Sequence, residues 1–509
     1  MVSYVLRRLG VSLLILLGAS FLVYQLIAIS GDPLAEYRES TRPNTQQLMQ
    51  ARIDLLNLDV PAPIRYFMWL SGAVKCVIPG QCDLGVTIQG QQVTDVLASA
   101  IPATLQLVLA ALVLAMTIGI TIGIVTALRQ YSALDYSVTF VTFLFFSLPV
   151  FWVAVLLKQY GAIRFNDFLE DPKVSLTAIL AVGLVSGVVW VLILGGRWKR
   201  RLVTFAAAAV VGGGVLWYLG VSRWFEYPGL GPVLIGLLGA AIAVGVTAVL
   251  AGLQHRRALY ASLISVGLAL IAMFALKPVL DGANFWLLAL LGLLAVAAGA
   301  LVGYLFGGYD RGQSMKAAGL TSFFVAGLVA LDRFMQSWPT YVTMVGGRPI
   351  ATIGSETPGL DGDLWITGLD KFTHLALPTM ALLLISLASY TRYSRASMLE
   401  VMGQDYVRTA RAKGLPERVV VVRHSFRNAL IPLATIVAFD FGQMLGGAVI
   451  TENIFAFKGM GATFIQGLHN QDPNPVMGFF LVVGIAAVTF NLVADLAYSV
   501  LDPRVRVKA

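Results

Sequence analysis

Long apolar blocks separated by short polar punctuation dominate this chain. Leu105–Leu128, Leu202–Leu219 and Phe285–Leu305 each reach or exceed the roughly 18 residues at which a membrane-spanning helix becomes the natural reading. An amphipathic helix of a soluble protein would place polar residues at every third or fourth position, and these blocks do not. Blocks and gaps together predict about twelve spans. Their approximate limits are 8–29, 102–128, 137–159, 174–194, 202–221, 229–252, 258–276, 284–306, 317–336, 373–391, 429–450 and 476–499. The span at 317–336 is the least regular, because Asp332 and Arg333 interrupt its end. The first block follows Arg7 and Arg8 and runs to about Ile29. It is longer than the apolar region of a signal peptide, about 7–15 residues, and no small-x-small cleavage site follows it, so it reads as a span.

Two regions fall outside this pattern. Residues 30–100 contain SGDP, a polar stretch and a short amphipathic helix expected around Pro63–Leu70. Residues 338–370 are rich in Gly, Pro and Thr and read as a loop. Basic clusters orient the whole. With the N-terminus in the cytoplasm, GGRWKRR (195–201), QHRR (254–257), GGYDRGQSMK (307–316), the segment Arg392–Arg427 and the tail DPRVRVKA all fall inside. Loops assigned outside, such as SRWFEYPG (222–229), are poor in Lys and Arg. A miscounted span would scramble this separation, so the expectation is an even number of spans and two cytoplasmic termini.

Composition agrees with the pattern. Of 509 residues, 58% are hydrophobic and only 12% charged, about half the charge of an ordinary soluble domain. Mean hydropathy is +0.79. The net charge of +9 is accounted for by the basic loops and does not call for nucleic acid. The two cysteines, Cys76 and Cys82 in KCVIPGQC, are too far apart for a CxxC redox motif and have no zinc partners nearby. In an oxidising compartment they would form a local disulfide; otherwise they are two thiols. No G-x-x-x-x-G-K-[ST] phosphate loop occurs, so ATP binding by this chain is not expected.

The most informative polar stretch is DYVRTARAKGLPERVVVVRHSFRNALIP (405–432), between the tenth and eleventh expected spans. It reads as a short helix on the cytoplasmic face, broken by Gly414 and Pro416. Ala410 and Ala412 offer a small-residue surface for close approach by another protein, with Arg408, Arg411 and Lys413 around it. Taken from its residues alone, the plainer reading is favoured: a basic cytoplasmic loop serving topology.

The stretch resembles the coupling loop, or EAA loop, of bacterial ABC importer permeases, in the version found in dipeptide and oligopeptide permeases. Further segments resemble that family in the same order: LRRLG (6–10), SGDP (30–33), DLGVTIQGQQVTDVL (83–97), IPATLQLVLAAL (101–112), SLPVFW (147–152), HLALPTMAL (374–382), RYSRASMLEV (392–401), GGAVITENIF (446–455) and NLVADLAYSVLDPRVR (491–506). The resemblance covers residues of roughly 1–160 and 372–509. The general EAA pattern has a Glu six residues before the glycine, where this chain has Arg408. Residues from about 170 to 336 have no counterpart in the six-span family core and read as six inserted spans. An even insertion returns the chain to the same side.

The resemblance implies an all-α polytopic membrane protein with the type I ABC importer transmembrane fold, a six-span core plus the insert. Its expected divisions are 1–100, the first span and long outer segment; 101–165, core spans two and three; 166–337, the insert; 338–371, an outer loop; and 372–509, the last three core spans with the coupling loop at about 394–427. It further implies a bacterial inner-membrane location and several partners: a second permease subunit, two cytoplasmic ATP-binding subunits that hold ATP and Mg, and an extracytoplasmic peptide-binding protein. Beyond these and membrane lipid, no cofactor, metal or nucleic acid is expected in this chain. ATPase coupling would fall to Arg408, Ala410, Arg411, Ala412, Lys413, Gly414 and Leu415.

Asp440 stands alone in an apolar span. An intramembrane carboxylate is costly and faces a cavity or a partner, so Asp440 is either a pathway residue or a helix–helix contact with the second permease. Glu452 is either a group of the outer vestibule or part of a structural outer loop. Asp495 lies near the cytoplasmic end of the last span and reads as structural, and Asp502, Pro503 and Arg504 as the terminator of that helix. His374 and His424 fall in matched segments and read as structural; His255 and His469 are scattered. Two other classes make different demands on the sequence. A secondary transporter of about twelve spans would carry several midplane ionisable groups and internal repeats, and a membrane enzyme would need a catalytic cluster. Neither pattern occurs. A same-family importer of another solute, such as nickel or glutathione, is not separable by sequence.

Overall fold

The computed structural model describes residues 2–38 and 44–501. The expected terminator at Asp502, Pro503 and Arg504, and the basic tail with it, lie outside the described residues. Every regular element among those described is helical, with one isolated antiparallel bridge, Val86 to Gln92. In chain order the helices used below are α1 Val2–Ser30, α2 Thr45–Leu56, α3 Ala62–Val74, α4 Val93–Leu128, α5 Ala133–Ser147, α6 Val150–Leu156, α7 Arg164–Glu170, α8 Leu176–Leu194, α9 Trp198–Val221, α10 Gly231–Leu250, α11 Arg256–Ala275, α12 Phe285–Phe306, α13 Arg311–Gln336, α14 Trp338–Met344, α15 Leu364–Met402, α16 Asp405–Ala412, α17 Arg427–Ile454, α18 Met460–His469 and α19 Pro473–Leu501. Among the described residues 11 helices are long and apolar enough to cross a membrane, or 12 if the bent pair beginning at α5 counts as one span.

That pair corrects one expectation. The block at 137–159 is not a straight span: α5 stops at Ser147, and the chain turns by 102° before continuing from Val150 to Glu170. Pro149 explains the break, since its ring excludes the helical region for the residue before it. Leu148 is accordingly extended, at φ −85° and ψ 129°.

The core gathers α1, α3, α4, α15, α17, α18 and α19 around buried Tyr24, Tyr66, Trp69, Leu107, Ala111, Ala115, Tyr390, Phe441 and Met477. Its tightest seam joins α4 to α15. The α4 face contains Leu107, Ala111, Ala115, Gly119 and Gly123, spaced four apart and all buried. A methyl group on Gly119 would sit 2.7 Å from Tyr390 Cβ, and one on Gly123 2.6 Å from the Thr391 carbonyl oxygen. Small residues at this spacing are how helices reach close contact in lipid, where no hydrophobic drive pulls them together.

The expected insert forms two units. Helices α8 and α9 make a hairpin, and α10–α13 make a four-helix cluster around Ile235, Ala243, Val266, Val325 and Val329. Trp365 of α15 completes that cluster from the core side: its ring meets Phe334 edge-on at 4.8 Å, and its Nε1 donates to the Leu280 carbonyl at 2.8 Å. The charges that interrupt the ninth block are used there. Asp332 is fully buried and accepts from the Leu230 and Gly231 amides at 2.7 and 3.1 Å and from Gln336 Nε2 at 2.7 Å, capping the start of α10. Arg333 pairs with Asp281 at 3.1 Å.

Candidate functional site

Helix α16 lies at one end of the bundle, between the end of α15 and the π-helical turn Val420–Phe426 that leads into α17. Its sequence alternates apolar and polar positions with helical spacing. Val407 and Ala410 turn inward onto Val420, while Tyr406, Arg408, Thr409, Arg411 and Ala412 are exposed. The expectation that Ala410 belongs to a surface open to another protein is corrected here: one turn after Val407, it is only 6% exposed. Arg408, Arg411, Ala412, Lys413, Gly414 and Leu415 do form one continuous exposed surface.

The end of α16 is closed by a glycine cap. Gly414 has φ +75°, a left-handed conformation with little penalty only for glycine. Its amide donates to the Arg411 carbonyl at 2.9 Å, and the Leu415 amide donates to the Ala410 carbonyl at 3.4 Å, the two bonds of a Schellman motif. Pro416 then precedes the next helical turn, and Arg411 folds across the junction onto Glu417, Nη2 to Oε1 at 2.7 Å and Nε to Oε2 at 3.2 Å. The Arg411 hydrogen bond holds the Glu417 carboxyl below the usual carboxylate range. At the other side, Asn428 Nδ2 donates to the Tyr406 hydroxyl at 2.9 Å, tying α16 to α17.

A buried ion pair stiffens the same end. Arg395 of α15 forks onto Asp135 of α5, whose carboxylate also accepts from the Tyr131 amide at 3.0 Å. Arg8 of α1 pairs with Asp495 of α19, which agrees with the structural reading of Asp495.

At the opposite end the second candidate carboxylate proves to be internal. Glu452 is wholly buried. It accepts from Thr104 Oγ1 at 2.6 Å and from the Gly461 and Ala462 amides at 2.7 and 3.3 Å, while Thr104 Oγ1 accepts from the Met460 amide at 2.8 Å. Glu452 and Thr104 thus satisfy the free amides at the start of α18. The expectation of Glu452 in an outer vestibule is corrected: it joins three helices from within.

Asp440, midway along α17, faces Ser386 and Tyr390 of α15, so its neighbours are in this chain. Its Oδ2 and the buried Tyr390 hydroxyl have no partner within hydrogen-bond distance. Cys76 and Cys82 are joined as a disulfide beside α3. His374 is buried, with Nδ1 2.8 Å from the Asp370 carbonyl oxygen. Among the described residues no group of three His, Cys, Asp or Glu side chains is arranged to hold a metal ion.

Several organising groups escaped the sequence reading. Lys158 Nζ donates to the Ile454 carbonyl at 2.7 Å, a cation at the end of α17. Asp472 accepts from the Ile88 amide at 2.7 Å, and Asn474 Nδ2 donates to the Val86 carbonyl at 2.8 Å, fastening the 83–92 loop to α19. Arg348 reaches Asp167 and Glu170 at 3.0 and 3.2 Å, holding the loop before α15 to α7. In sequence each is an isolated charge near a span boundary; only the alternation of Val407 and Ala410 was a readable signal.

Comparison with known proteins points to one family of transport proteins. Residues 258–507 match the binding-protein-dependent transport system inner membrane component. The match takes in α11–α13 as well as the helices from α14 onward. The oligopeptide transport system permease protein OppB of Mycobacterium tuberculosis (strain ATCC 25618 / H37Rv) is 39% identical over 186 residues, 36% of this chain and 56% of the relative. A putative peptide permease protein of Brucella suis biovar 1 is 39% identical over 179 residues, 34% of this chain and 55% of the relative. The dipeptide transport system permease protein DppB of Escherichia coli (strain K12) is 42% identical over 150 residues, 30% of this chain and 43% of the relative. The chain spans about half the length of the curated relatives it matches. Through residues 258–507 this multi-pass membrane protein is similar to the binding-protein-dependent transport system inner membrane components.

Proposed function

We propose that this chain is a channel-forming permease subunit of an ATP-driven importer of di- and oligopeptides. The observation that carries the reading is α16: an exposed basic helix, closed by a glycine cap and fastened to two membrane helices, of a kind that can receive a push from a cytoplasmic motor. The peptide class comes from the relatives named as oligopeptide, dipeptide and peptide permeases. In this reading both termini are cytoplasmic, and a second permease subunit completes the channel. Two ATP-binding subunits carry ATP and Mg, and an extracytoplasmic peptide-binding protein delivers the solute. This chain supplies no cofactor of its own. It couples nucleotide-driven closure to alternating access, and a loaded binding protein favours the state open towards it.

The test is purification of the tagged chain in mild detergent, with mass identification of what stays bound. A second permease and a phosphate-loop ATPase are the expected companions. A stable single-chain species that transports by itself would overturn the reading and favour an ion-coupled transporter. Import of nickel or glutathione by the intact complex, with no peptide uptake, would keep the class and replace the solute.

A further inference from the structure

A basic cleft of about 480 Å³ opens where the hairpin α8–α9 meets the turn between α4 and α5. Its walls are the turn Arg129–Ala133 on one side and Leu192–Gly196 with Arg201 on the other. Arg129 Nη1 donates to the Ile193 carbonyl at 2.7 Å, and Arg201 Nε donates to the Gly196 carbonyl at 2.8 Å. These bonds fix two guanidinium groups at the cleft and leave their positive charge without a counterion. Arg197, Lys199 and Arg200 follow on the same hairpin turn, all exposed. Among the described residues none of these five cations lies within ion-pair distance of a carboxylate; Asp135, which holds the Tyr131 amide of the cleft's turn, is taken by Arg395. The start of α9, a 24-residue helix, adds its positive end.

The surroundings are those of a membrane interface. Trp198 is 70% exposed beside the cleft, at the position where amphipathic rings sit among headgroups. Leu184, Val188 and Val189 of α8 run exposed away from it along the helix. Opposite, Tyr131 holds a left-handed conformation at φ +61°, uncommon for a bulky residue and secured by the Asp135 carboxylate on its amide. The cleft is thus positive, fixed on both walls, and continuous with an apolar flank.

We propose that this cleft binds the phosphate-bearing headgroup of an anionic phospholipid, with its acyl chains along α8. The bound lipid neutralises Arg129 and Arg201 and joins the α8–α9 hairpin to the core, where the protein's own contacts are few. Each cation near a membrane surface contributes about fivefold in affinity for an anionic lipid.

The test uses the purified full chain in vesicles of equimolar phosphatidylcholine and phosphatidylglycerol, with retained lipid counted by native mass spectrometry. The wild type should retain phosphatidylglycerol in clear excess. R129Q/R201Q should lose that excess by about fivefold or more, R129K/R201K should keep most of it, and R256Q/R257Q, an equal charge loss at the start of α11, should keep it. Equal loss in the R256Q/R257Q control, or no excess in the wild type, overturns the site. Displacement of the lipid by tens of millimolar inorganic phosphate would also overturn it, assigning the cleft to a soluble anion. Should R129Q/R201Q not fold, photoactivatable phosphatidylglycerol on the wild type decides: crosslinks should map to Arg129–Ala133 and Leu192–Arg201, and crosslinks confined to other helices refute the proposal.

Discussion

Arg395 grips Asp135 through two parallel bonds, Nε to Oδ1 at 2.7 Å and Nη2 to Oδ2 at 2.9 Å, across 260 residues of sequence. The Asp135 side chain is 3% exposed and that of Arg395 30%, so removing Arg395 strands the Asp135 carboxylate away from water. R395Q is expected to destabilise the protein by about 3–5 kcal/mol, visible as a lowered unfolding temperature in detergent. R395K should not rescue, because an ammonium cannot make the paired bonds. The double variant D135L/R395M should unfold later than either D135L or R395M; if it is the least stable of the three, the pair does not act as a unit.

Glu452 is held by three donors and exposed to nothing. E452A removes the acceptor from the start of α18 and is expected to cost about 1–3 kcal/mol. E452Q should lose less, since one amide oxygen still accepts. In uptake assays, neither substitution should alter the ranking of competing peptides; a changed ranking would return Glu452 to the solute path.

Gly414 closes α16 with φ +75°. G414A should weaken the cap by about 1–2 kcal/mol. G414P, which also deletes the amide bonded to the Arg411 carbonyl, should depress peptide uptake while partner subunits still co-purify. Normal uptake by a stable G414P complex would exclude this turn from coupling.

The Glu417 carboxyl is held low by Arg411, which gives a pH signature. A depressed folded-state value means the stabilisation is complete above the ordinary glutamate range, near pH 4.3, and is lost as pH falls through the lower folded value. Amide exchange across 405–419 should therefore be steady, after correction for its intrinsic pH dependence, from pH 7 to about 5. Protection should fall in stronger acid. R411Q should remove that acid-dependent change, and a wild-type transition near pH 6 would point to another group.

Much of this architecture was readable because lipid demands long apolar runs and backbone bonds satisfied within each helix. The sequence announced α4, α8 and α12 for that reason. The bend at Leu148 was also encoded, by Pro149, though the hydropathy of 137–159 concealed it. The direction of Ala410 could have been taken from its spacing to Val407. Asp135 with Arg395, Lys158 with the end of α17, and Asp472 with Ile88 could not be paired from one sequence, because each joins a lone charge to a group hundreds of residues away. Glu452 misled for a related reason: a carboxylate just past an apolar run reads as exposed unless the amides it caps are known.

Helix α15 is 39 residues long, about 58 Å from end to end. It carries Trp365, embedded in the α10–α13 cluster, at its start, and at its finish gives way through the turn at Gly403 and Gln404 to α16. One helix therefore has α16 next to its tip and the four-helix cluster at its base. A tilt of about 5° about the tip sweeps the base through about 5 Å, a lever arm that makes the cluster a passenger of whatever moves α16.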